Sequence, residues 1–486
     1  MRLITKARIT AVAALMAFAA LAGIATGQQD IGLLHQNLNE SQSTAAFGIG
    51  KILDESSTAS LTAAEINANP AAVVTLAKGL EARVVTAGVA APNVDMMVPW
   101  PDNADPTHLI VCNEQGTSAP GLQAIDLDTG AAQTILTGIT NCDGIRMTPW
   151  HTILFSEETS NGRAYELIDP LGVTGVHLDR STGVFSGGTG DCAGGTGECH
   201  FAVRSALGRL AFEGFAVYPN GVVYYGDENR PANGTQGGAY FKFIPDSLWT
   251  GGPPISTLAA SPFVSGDVFG LRLGKRVDSG SGAIDFGQGT QLGFGTWVLA
   301  CDNCQTGDTN LRSLTPTLKL TGYYRPEDVD IDGTALAAGN VRFCADNTGN
   351  EENDQLWGET VCVSDGTLAA AAANTATPEA QLLLVGNPGL AMPDNIAFQP
   401  GRGNWIIHED ADTTYLAPHN NDLWDCLPDG MDEDLLSDGC LRIATLNDLT
   451  AEWTGGIFDA SGQRFWVSIQ HNASGKGLVL EITGWK

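Results

Sequence analysis

Acidic residues recur in this sequence at the ends of short predicted β-strands, where their carboxylates could act together. Glu157 and Glu158 end one such strand, and Glu213 precedes a hairpin that begins at Gly214. Taken singly, each acid fits a solvated turn residue. Carboxylates held a few ångströms apart cannot all stay ionised without compensation, and hard cations with oxygen ligands supply that compensation. The set as a whole therefore favours a shared metal site.

Three more acidic motifs belong to this set. They are Asp227-Glu228, which is followed by Arg230; Arg325-Pro326-Glu327-Asp328, which follows an aromatic strand; and Pro393-Asp394-Asn395, which opens a hairpin ending at Glu409-Asp410. In the second motif, Pro326 fixes its own φ and biases Arg325 towards an extended conformation. The side chains of Arg325 and Glu327 are then expected on one side of the chain.

Short strands joined by tight turns must position these acids. From about residue 82 onward, apolar runs alternate with turns rich in Pro, Asp or Gly and with aliphatic-aromatic strands. Clear examples lie at residues 214–225, 395–401 and 456–467. Hairpins that recur at uneven intervals favour an all-β fold, a β-propeller with loop insertions. A β-sandwich and several small β domains are the alternatives.

A propeller would also bring the acids together. Corresponding strand ends of different blades converge near the central channel, so we expect Glu157, Glu213, Glu327 and Asp410 to ring one mouth of that channel. The chain has 486 residues, but a closed propeller of about 400 residues can form one unit. Residues 81–486 are therefore assigned to a single propeller domain.

Residues 1–27 are typical of a secretory signal peptide. Arg2, Lys6 and Arg8 precede an apolar stretch, and small residues precede a cleavage site before Gln28. The alternative is an uncleaved anchor, because the apolar stretch lies at the short limit for a membrane span. The signal predicts a secreted or periplasmic protein with no stable membrane insertion after cleavage.

Residues 28–80 are expected to form a short helical segment that packs on the main domain. Thr62 and Glu65 have the spacing of a capping box. The apolar residues over 71–80 then follow a helical period. This segment is therefore assigned separately from the strands that follow it.

The charge of the chain excludes some partners. Lysine and arginine total 25 against 55 acids, for a formal charge of −30. Removal of the three cations of the signal, with no acids, would take it to −33. Such a surface repels nucleic acid and anionic lipid. It would also repel a phosphate ester unless bound cations reverse the local field.

Ten cysteines in an exported chain predict disulfides. Four pairs of sequence neighbours are expected to staple loops: Cys192/Cys199, Cys301/Cys304, Cys344/Cys362 and Cys426/Cys440. Cys112 and Cys142 remain, and either they bond to each other or Cys142 is a metal thiolate. Zinc is disfavoured, because Cys301 and Cys304 have no second pair at ribbon spacing.

The order of short motifs resembles that of the PhoX-type alkaline phosphatase family, over about residues 80–480. The motifs are Cys112-Asn113-Glu114, Asn141-Cys142-Asp143-Gly144, Thr148-Pro149-Trp150, Glu157-Glu158, Gly208–Glu213, Asp227–Arg230, Gly238–Pro245, Arg325–Val329, Pro393–Asn395, Glu409-Asp410 and Ile469-Gln470-His471. No single motif is diagnostic, and the signal lies in their order.

The resemblance implies a six-bladed propeller that holds two oxo-bridged ferric ions and three calcium ions at the channel mouth. It implies that Cys142 is a reduced thiolate ligand of one iron, with Cys112 free or buried. The implied metal ligands are Cys142, Glu157, Glu158, Glu213, Glu228, Glu327, Glu409 and Asp410. Among them, Glu213 and Glu327 would bridge metals. Arg325 and Arg230 are implied to hold phosphate or to order the carboxylates.

Several residues depart from the family pattern, so the chain is identified as a divergent member. Phe212 stands where His is usual, Asp143 where a small residue is usual, Asn229 where an acid is usual and His151 where Gly is usual. The signal also lacks the twin arginines typical of the family. These changes bear on activity and on metal identity.

The function predicted from the sequence is that of an exported, metal-dependent phosphatase acting on phosphomonoesters and also diesters. Its partner would be a small-molecule phosphate ester, and the protein would be a monomer. One alternative is a calcium-dependent propeller hydrolase of lactones or phosphotriesters. The other is a non-enzymatic, calcium-stabilised envelope protein. No Gly-x-Ser-x-Gly elbow for a serine nucleophile occurs in the chain.

Overall fold

The computed structural model describes residues 40–189, 200–231, 236–274, 292–349, 357–411, 419–430 and 435–486. The expected signal peptide and the expected Cys192/Cys199 pair lie outside the described residues. Within them the protein is built mostly of β-strands, which confirms the predicted fold class at that level.

The strands follow one another with few helices between them. The first nine are β1 (Val74–Leu76), β2 (Glu81–Ala87), β3 (Val94–Trp100), β4 (His108–Asn113), β5 (Pro120–Asp126), β6 (Ala132–Thr137), β7 (Cys142–Met147), β8 (Ile153–Leu167) and β9 (Val176–Asp179). The next nine are β10 (Val184–Ser186), β11 (Phe201–Val203), β12 (Arg209–Val217), β13 (Val223–Asp227), β14 (Tyr240–Pro245), β15 (Gly266–Leu273), β16 (Gly293–Cys301), β17 (Pro326–Ile331) and β18 (Asn340–Asn347). The last nine are β19 (Glu359–Thr367), β20 (Glu379–Val385), β21 (Pro393–Phe398), β22 (Trp405–Glu409), β23 (Asp422–Cys426), β24 (Cys440–Leu446), β25 (Glu452–Phe458), β26 (Arg464–Gln470) and β27 (Leu478–Thr483).

The helices are short. The α-helices of the described residues are α1 (Ser43–Phe47), α2 (Ala63–Ala68), α3 (Thr315–Leu318), α4 (Gly333–Ala337) and α5 (Leu368–Ala372). Single 3₁₀ turns occupy Pro70–Val73, Pro170–Gly172, Ser205–Leu207, Leu258–Ala260, Pro262–Val264, Cys304–Thr306 and Arg312–Leu314. None of the helices within the described ranges is long and apolar enough to cross a bilayer.

Most neighbouring strands along the chain pair antiparallel. One sheet has the order β10-β9-β6-β5-β4-β3, another β1-β24-β23-β22-β21, and a third β2-β27-β26-β25. The largest has the order β11-β8-β12-β13-β14-β15-β16-β20-β19-β18-β17, with β7 paired to β8. Strand β2 pairs with β27, so the two ends of the β region share one sheet.

Six strands of the described chain face one another around the centre. These are β3, β7, β12, β17, β21 and β25, each of which contacts the next, while β25 contacts β3. The contacts therefore form a closed ring. Closure of this kind is how antiparallel folds of the barrel and propeller types remove exposed sheet edges.

The hydrophobic core lies between neighbouring sheets. Met96 and Ile110 of one sheet belong to the same buried cluster as Ile145 and Phe155 of the next. Full burial of such side chains contributes about 1.5–3 kcal/mol each. Packing between neighbouring sheets therefore holds the six central strands in place, together with their side chains that face the centre.

The expected capping box is present, whereas the helix expected from the spacing over residues 71–80 is not. Helix α2 begins with the expected capping box, in which Thr62 N donates to Glu65 Oε2 at 2.9 Å and Glu65 N donates to Thr62 Oγ1 at 3.4 Å. Residues 71–80 are not one helix, because a 3₁₀ turn leads directly into β1. Pairing of β1 with β24 outweighs the helical spacing there.

Three predicted disulfides are present: Cys301–Cys304, Cys344–Cys362 and Cys426–Cys440. Two of them link residues on paired strands, rather than linking loops as expected. Cys344 lies directly opposite Cys362 on paired strands, and Cys426 lies opposite Cys440 in the same way.

Candidate metal centre

A β-bulge recurs at one point of each of the six central strands. The pairs that precede it are Val94↔Asn113, Cys142↔Glu157, Phe212↔Asp227, Pro326↔Asn347, Pro393↔Glu409 and Thr454↔Ser468. In each of these six central strands, which we call ring strands, the next pair lies three residues later in the ring strand but only two residues earlier in the neighbouring strand. The ring strand therefore contains one extra residue. A bulge bends the strand and re-aims the side chain of the extra residue.

The bulge explains which acids meet. In five of the six ring strands, the residue after the pair is acidic: Asp95, Asp143, Glu213, Glu327 and Asp394. In the sixth strand that place belongs to Gly455. On the neighbouring strands, the residues that follow the paired position are Glu114, Glu158, Glu228, Thr348 and Asp410, and Ile469 in the sixth. The repeated register therefore generates a ring of carboxylates.

These side chains line one small, polar cavity of about 280 Å³, which we call the carboxylate cavity. Nine acids line it: Asp95, Glu114, Asp143, Glu158, Glu213, Glu327, Asp394, Asp410 and Glu452. The other lining residues are Arg325, Thr454, Gln470 and His471. The predicted convergence of Glu213, Glu327 and Asp410 at one place is thus present.

Close approach of the ring strands requires glycine. A side chain at Gly144 would collide with the backbone carbonyl of Glu213, and one at Gly214 would collide with the carboxylate of Asp328. Both glycines directly follow a cavity acid. The backbone of neighbouring ring strands can therefore come close enough for their acids to meet.

Three acids have the geometry of a ligand set. Asp143, Glu158 and Glu213 each offer an oxygen, and the three oxygens lie within 4.8 Å of one another. Asp143 Oδ1 is buried and has no hydrogen-bond partner among the described residues. A buried acceptor without a partner is costly, and a cation at this point would satisfy it.

The electrostatics of the cavity oppose full ionisation. Burial raises the pKa of Glu213, Glu327 and Asp394 well above its usual range, and neighbouring carboxylates raise it further. Burial raises the pKa of Asp143 to about 7. The metal-free cluster therefore keeps protons that an ordinary surface acid loses, and a bound cation would favour the ionised form instead.

Arg325 supplies positive charge at this cluster. Its Nε lies 3.0 Å from Glu228 Oε1, and one terminal nitrogen lies 3.0 Å from Glu327 Oε1 and 4.0 Å from Asp410 Oδ2. The expected meeting of Arg325 and Glu327 is confirmed. Arg230 lines an adjoining cavity of about 340 Å³, which shares Arg325 and Asp410 with the carboxylate cavity.

The expected backbone conformation of Arg325 is wrong. Its φ is +56°, in the left-handed region, rather than extended. Hydrogen bonds on both sides hold this conformation, because Arg325 N donates to Asn229 O at 3.3 Å and Thr348 N donates to Arg325 O at 3.1 Å. A non-glycine residue there is strained and persists only where its surroundings determine it.

Of the predicted metal ligands, Glu157, Glu228 and Glu409 do not line the carboxylate cavity, whereas Glu409 lies with His419 and Asp422 in a second group whose ligand atoms are close enough to hold one ion. Successive side chains of a strand point to opposite faces. Glu157 therefore faces away from Glu158 and pairs with Arg180 at 2.5 Å. Glu409 accepts hydrogen bonds from Ala391 N and Asp422 N, each at 2.8 Å.

A pair of variants tests this assignment of faces. Under the metal-dependent phosphate-ester hydrolysis that the sequence motifs imply, Glu158→Gln is expected to lower calcium content and hydrolysis about tenfold or more, because it would remove a charged ligand oxygen. Glu157→Gln is expected to lower the melting temperature instead, because it leaves Arg180 without its charged partner. Metal analysis, activity and thermal unfolding of both variants check this. Loss of bound calcium in Glu157→Gln with retention in Glu158→Gln would reverse the assignment.

Cys142 is not a free thiolate, so that prediction is also wrong. Cys142 is bonded to Cys112, and both residues are fully buried. The bond joins β4 to β7. A sulfur in a disulfide has no thiolate charge, and the thiolate is the form that binds metal.

The sequence reasoning missed part of the site. The predicted metal ligands do not include Asp95 or Glu452. Glu114, Asp143 and Asp394 occur in the sequence motifs but are not among the predicted ligands. A usable signal exists for the bulge acids, since each has an apolar residue, Cys or Pro before it and an apolar residue two places after it. This pattern recurs at all five bulge positions that carry an acid.

A larger cavity, of about 660 Å³, lies away from these acids. It is lined by Trp100 at the far end of β3, by His151 in the turn after β7, and by Asp169. It contains no cluster of carboxylates. Volume alone therefore does not select the site of metal chemistry.

Comparison with solved structures identifies the architecture. PhoX from Pseudomonas fluorescens, in complex with the transition-state analogue vanadate, matches 89% of this chain and 98% of its own, with a TM-score of 0.61 at 15% identity. The chain has the fold of PhoX. The predicted propeller architecture and the resemblance stated from the sequence motifs are thereby confirmed at the level of the fold.

Two further matches have lower TM-scores. A PQQ-bound aldose sugar dehydrogenase from Streptomyces coelicolor is 12% identical over 84% of this chain and 99% of its own, with a TM-score of 0.40. A gluconolactonase from Xanthomonas campestris is 10% identical over 83% and 89%, with a TM-score of 0.39. No protein-family model and no curated protein sequence matches the chain.

Proposed function

We propose that this chain is an exported, metal-dependent phosphatase that hydrolyses phosphomonoesters, and also diesters, at the carboxylate cavity. The observation that carries the proposal is the cavity itself, in which nine carboxylates and one arginine meet. The PhoX fold over 89% of the chain supports the same chemistry. Six blades, one for each ring strand, are part of this proposal.

The donor set fits calcium-like cations. Calcium takes six to eight oxygen ligands, largely carboxylates and carbonyls. The oxygens of Asp143, Glu158 and Glu213 are close enough to share one ion, and Asp143 Oδ1 has no hydrogen-bond partner among the described residues. Several calcium ions therefore suit this cavity. Iron held by a cysteine thiolate does not, because Cys142 is bonded to Cys112.

Bound cations would supply charge neutralisation and polarisation of the phosphate ester. The chain's own part is to orient the groups around them. Arg325 is held by Glu228 and Glu327, and its planar guanidinium suits two oxygens of a phosphate. Arg230 borders the adjoining cavity, where it would meet the organic part or a second anionic group of the substrate.

Neutral side chains fix the carboxylates. Thr348 Oγ1 donates to Glu327 Oε1 at 2.8 Å. Gln470 Nε2 donates to Asp95 Oδ2 and to Glu114 Oε2, each at 3.0 Å. These hydrogen bonds hold ligand oxygens at defined positions before a cation enters, as partners behind metal ligands commonly do. Cation binding would release the protons that the buried acids keep.

Hydrolysis of p-nitrophenyl phosphate and bis-p-nitrophenyl phosphate by the purified full-length product tests this function. Activity should depend on an added divalent cation and disappear after chelation with EGTA. A protein that binds calcium but hydrolyses neither ester at any cation concentration would overturn the proposal. Such a protein would then be assayed on lactones and phosphotriesters.

Export and the oligomeric state belong to the same proposal. Residues 1–27 support passage through a membrane, and the high negative charge supports a soluble monomer. Sequencing of the mature N-terminus should begin at Gln28. Detection of uncleaved protein in membranes, or of a stable dimer in solution, would contradict these two points respectively.

A further inference from the structure

The Cys112–Cys142 disulfide lies directly behind the carboxylate cavity. Cys142 immediately precedes Asp143, and Cys112 lies two residues before Glu114. Both of those acids line the cavity. The disulfide therefore joins two strand positions that lie within two residues of cavity acids.

We propose that this centre binds metal through oxygen ligands only, and that the disulfide stands in place of the metal–thiolate bond that the resemblance to PhoX implies. The inference rests on the proposed metal centre and deepens it, because it assigns to the disulfide the structural role that a metal–thiolate bond would have and with it the exclusion of thiolate-bound iron. The class of cation is then the hard, oxygen-preferring cations, with Ca²⁺ as the probe.

The residues that line the cavity carry little soft donor chemistry. They include no cysteine, and one histidine, His471, whose side chain is 50% exposed at the rim. All other polar lining groups, apart from Arg325, are carboxylates, an amide or a hydroxyl. Carboxylate and carbonyl oxygens suit Mg²⁺, Ca²⁺ and Mn²⁺, whereas thiolates select softer ions.

The disulfide also fixes the relative position of two strands, which a metal–thiolate bond would otherwise help to fix. It ties β4 to β7, and so ties the acids that follow each cysteine. Hydrogen bonds extend this link, because Asn141 Nδ2 donates to Glu114 Oε1 at 3.3 Å and Glu158 N donates to Asn141 O at 2.8 Å. Glu114, Asp143 and Glu158 are therefore positioned covalently and by hydrogen bonds without help from a metal.

One acid points to a ligand independently of the cluster. Asp143 has 4% of its surface exposed, and its Oδ1 is buried without a hydrogen-bond partner among the described residues. Its oxygens lie within 4.8 Å of ligand oxygens of Glu158 and Glu213. A hard cation among these three residues satisfies that atom without any sulfur ligand.

The first test is the metal content of the oxidised wild-type protein, produced with both iron and calcium available. We expect calcium at one or more ions per chain, iron at trace level, and no visible absorption from a ferric–thiolate bond. Peptide mapping under non-reducing conditions should find Cys112 joined to Cys142. Stoichiometric iron together with an absorption band that Cys142→Ser abolishes would overturn the inference.

The second test frees the sulfur. Cys112→Ser leaves Cys142 as a thiol beside Asp143, and we expect iron content to rise about tenfold or more, since a soft ligand is gained. The matched control is the double variant Cys344→Ser/Cys362→Ser, which removes another buried disulfide. It should lower the melting temperature and leave iron content unchanged. Equal iron in wild type and Cys112→Ser, at stoichiometric level in both, would contradict the inference.

Failure of this inference and failure of the proposed function are distinguishable. Calcium without iron, and without ester hydrolysis, would sustain the oxygen-only centre while the phosphatase proposal fails. Ester hydrolysis by a protein with thiolate-bound iron would sustain the phosphatase while the oxygen-only centre fails. If Cys112→Ser does not fold, metal analysis and disulfide mapping of the wild-type protein still decide the question.

Discussion

Glu327→Gln is expected to lower the rate of phosphate-ester hydrolysis about a hundredfold or more, the order observed when one contact that stabilises a transition state is lost. Glu327 lies at a bulge position, contacts Arg325 at 3.0 Å and accepts a hydrogen bond from Thr348. Glutamine keeps the shape of the side chain but removes a charge that pairs with Arg325 and that the proposed cations would use. Calcium content should fall with the rate.

The stability of the metal-free Glu327→Gln variant should not fall with its rate of hydrolysis. Burial is the largest effect on the pKa of Glu327 and raises it well above its usual range. Arg325 has the next largest effect and lowers this pKa, and Asp394 raises it. A neutral glutamine has no ionised form to bury, and Arg325 keeps its pairing with Glu228, so the metal-free variant should melt no lower than wild type. Activity, calcium content and melting temperature, measured together, therefore separate loss of a ligand from loss of fold.

Glu481→Gln is the matched control for Glu327→Gln. Glu481 is also a largely buried glutamate held by arginines, Arg83 and Arg464, but it lies on β27 and does not line the cavity. The control should keep full activity and full calcium. Full activity and calcium in Glu327→Gln as well would show that Glu327 is only a turn residue.

Much of the architecture was accessible from the sequence because it depends on local patterns. Alternating apolar strands with Gly, Pro and Asp turns specify hairpins wherever they occur, and they identified an all-β fold without knowledge of the partner strands. The capping box of Thr62 and Glu65 is local in the same sense. By contrast, the structure of residues 71–80 depends on the pairing of Val74 with Leu446 of β24, which lies far away along the chain.

The site was harder to predict because two acids often stand side by side. In Glu157-Glu158, both residues are acidic, so the sequence does not say which one faces the centre. The register decides it: Glu157 lies opposite Cys142, and the bulge begins immediately after this pair. The same register separates Glu409 from Asp410. A bulge is a property of two strands together, and no single strand reveals it.

The cysteine connectivity had a different obstacle. Cys112 and Cys142 are separated by 30 residues along the chain, and sequence alone allows many pairings of ten cysteines. Contact between β4 and β7 brings the two together. The resemblance to the family suggests a thiolate at Cys142, whereas in this chain the sulfur is bonded to Cys112.

Removal of the cations is expected to reverse the usual effect of acid on stability. In the metal-free protein, burial raises the pKa of Asp143 from 3.8 to about 7. A group whose pKa is higher in the folded state stabilises the fold at low pH, and this contribution is lost as the pH rises through the folded value. The metal-free protein should therefore melt higher at pH 5 than at pH 8.

With calcium bound, the sign should change. Cations favour the ionised carboxylates, so acid must displace the ions before it protonates the ligands. The calcium-loaded protein should lose melting temperature between pH 8 and pH 5, and its curve should meet that of the metal-free protein at the acidic end. Thermal unfolding from pH 5 to pH 8, in EGTA and in excess calcium, measures both curves.

Asp425→Asn provides the control for this experiment. Burial raises the pKa of Asp425 to about 8, but its Oδ1 accepts a hydrogen bond from Asn404 and it does not line the cavity. Its replacement should flatten the pH dependence equally with and without calcium. Asp143→Asn should flatten the metal-free curve and, because it also removes a ligand carboxylate, lower the melting temperature in excess calcium. Parallel pH curves for metal-free and calcium-loaded wild type would mean that the raised pKa values and the cation site do not belong to the same carboxylates.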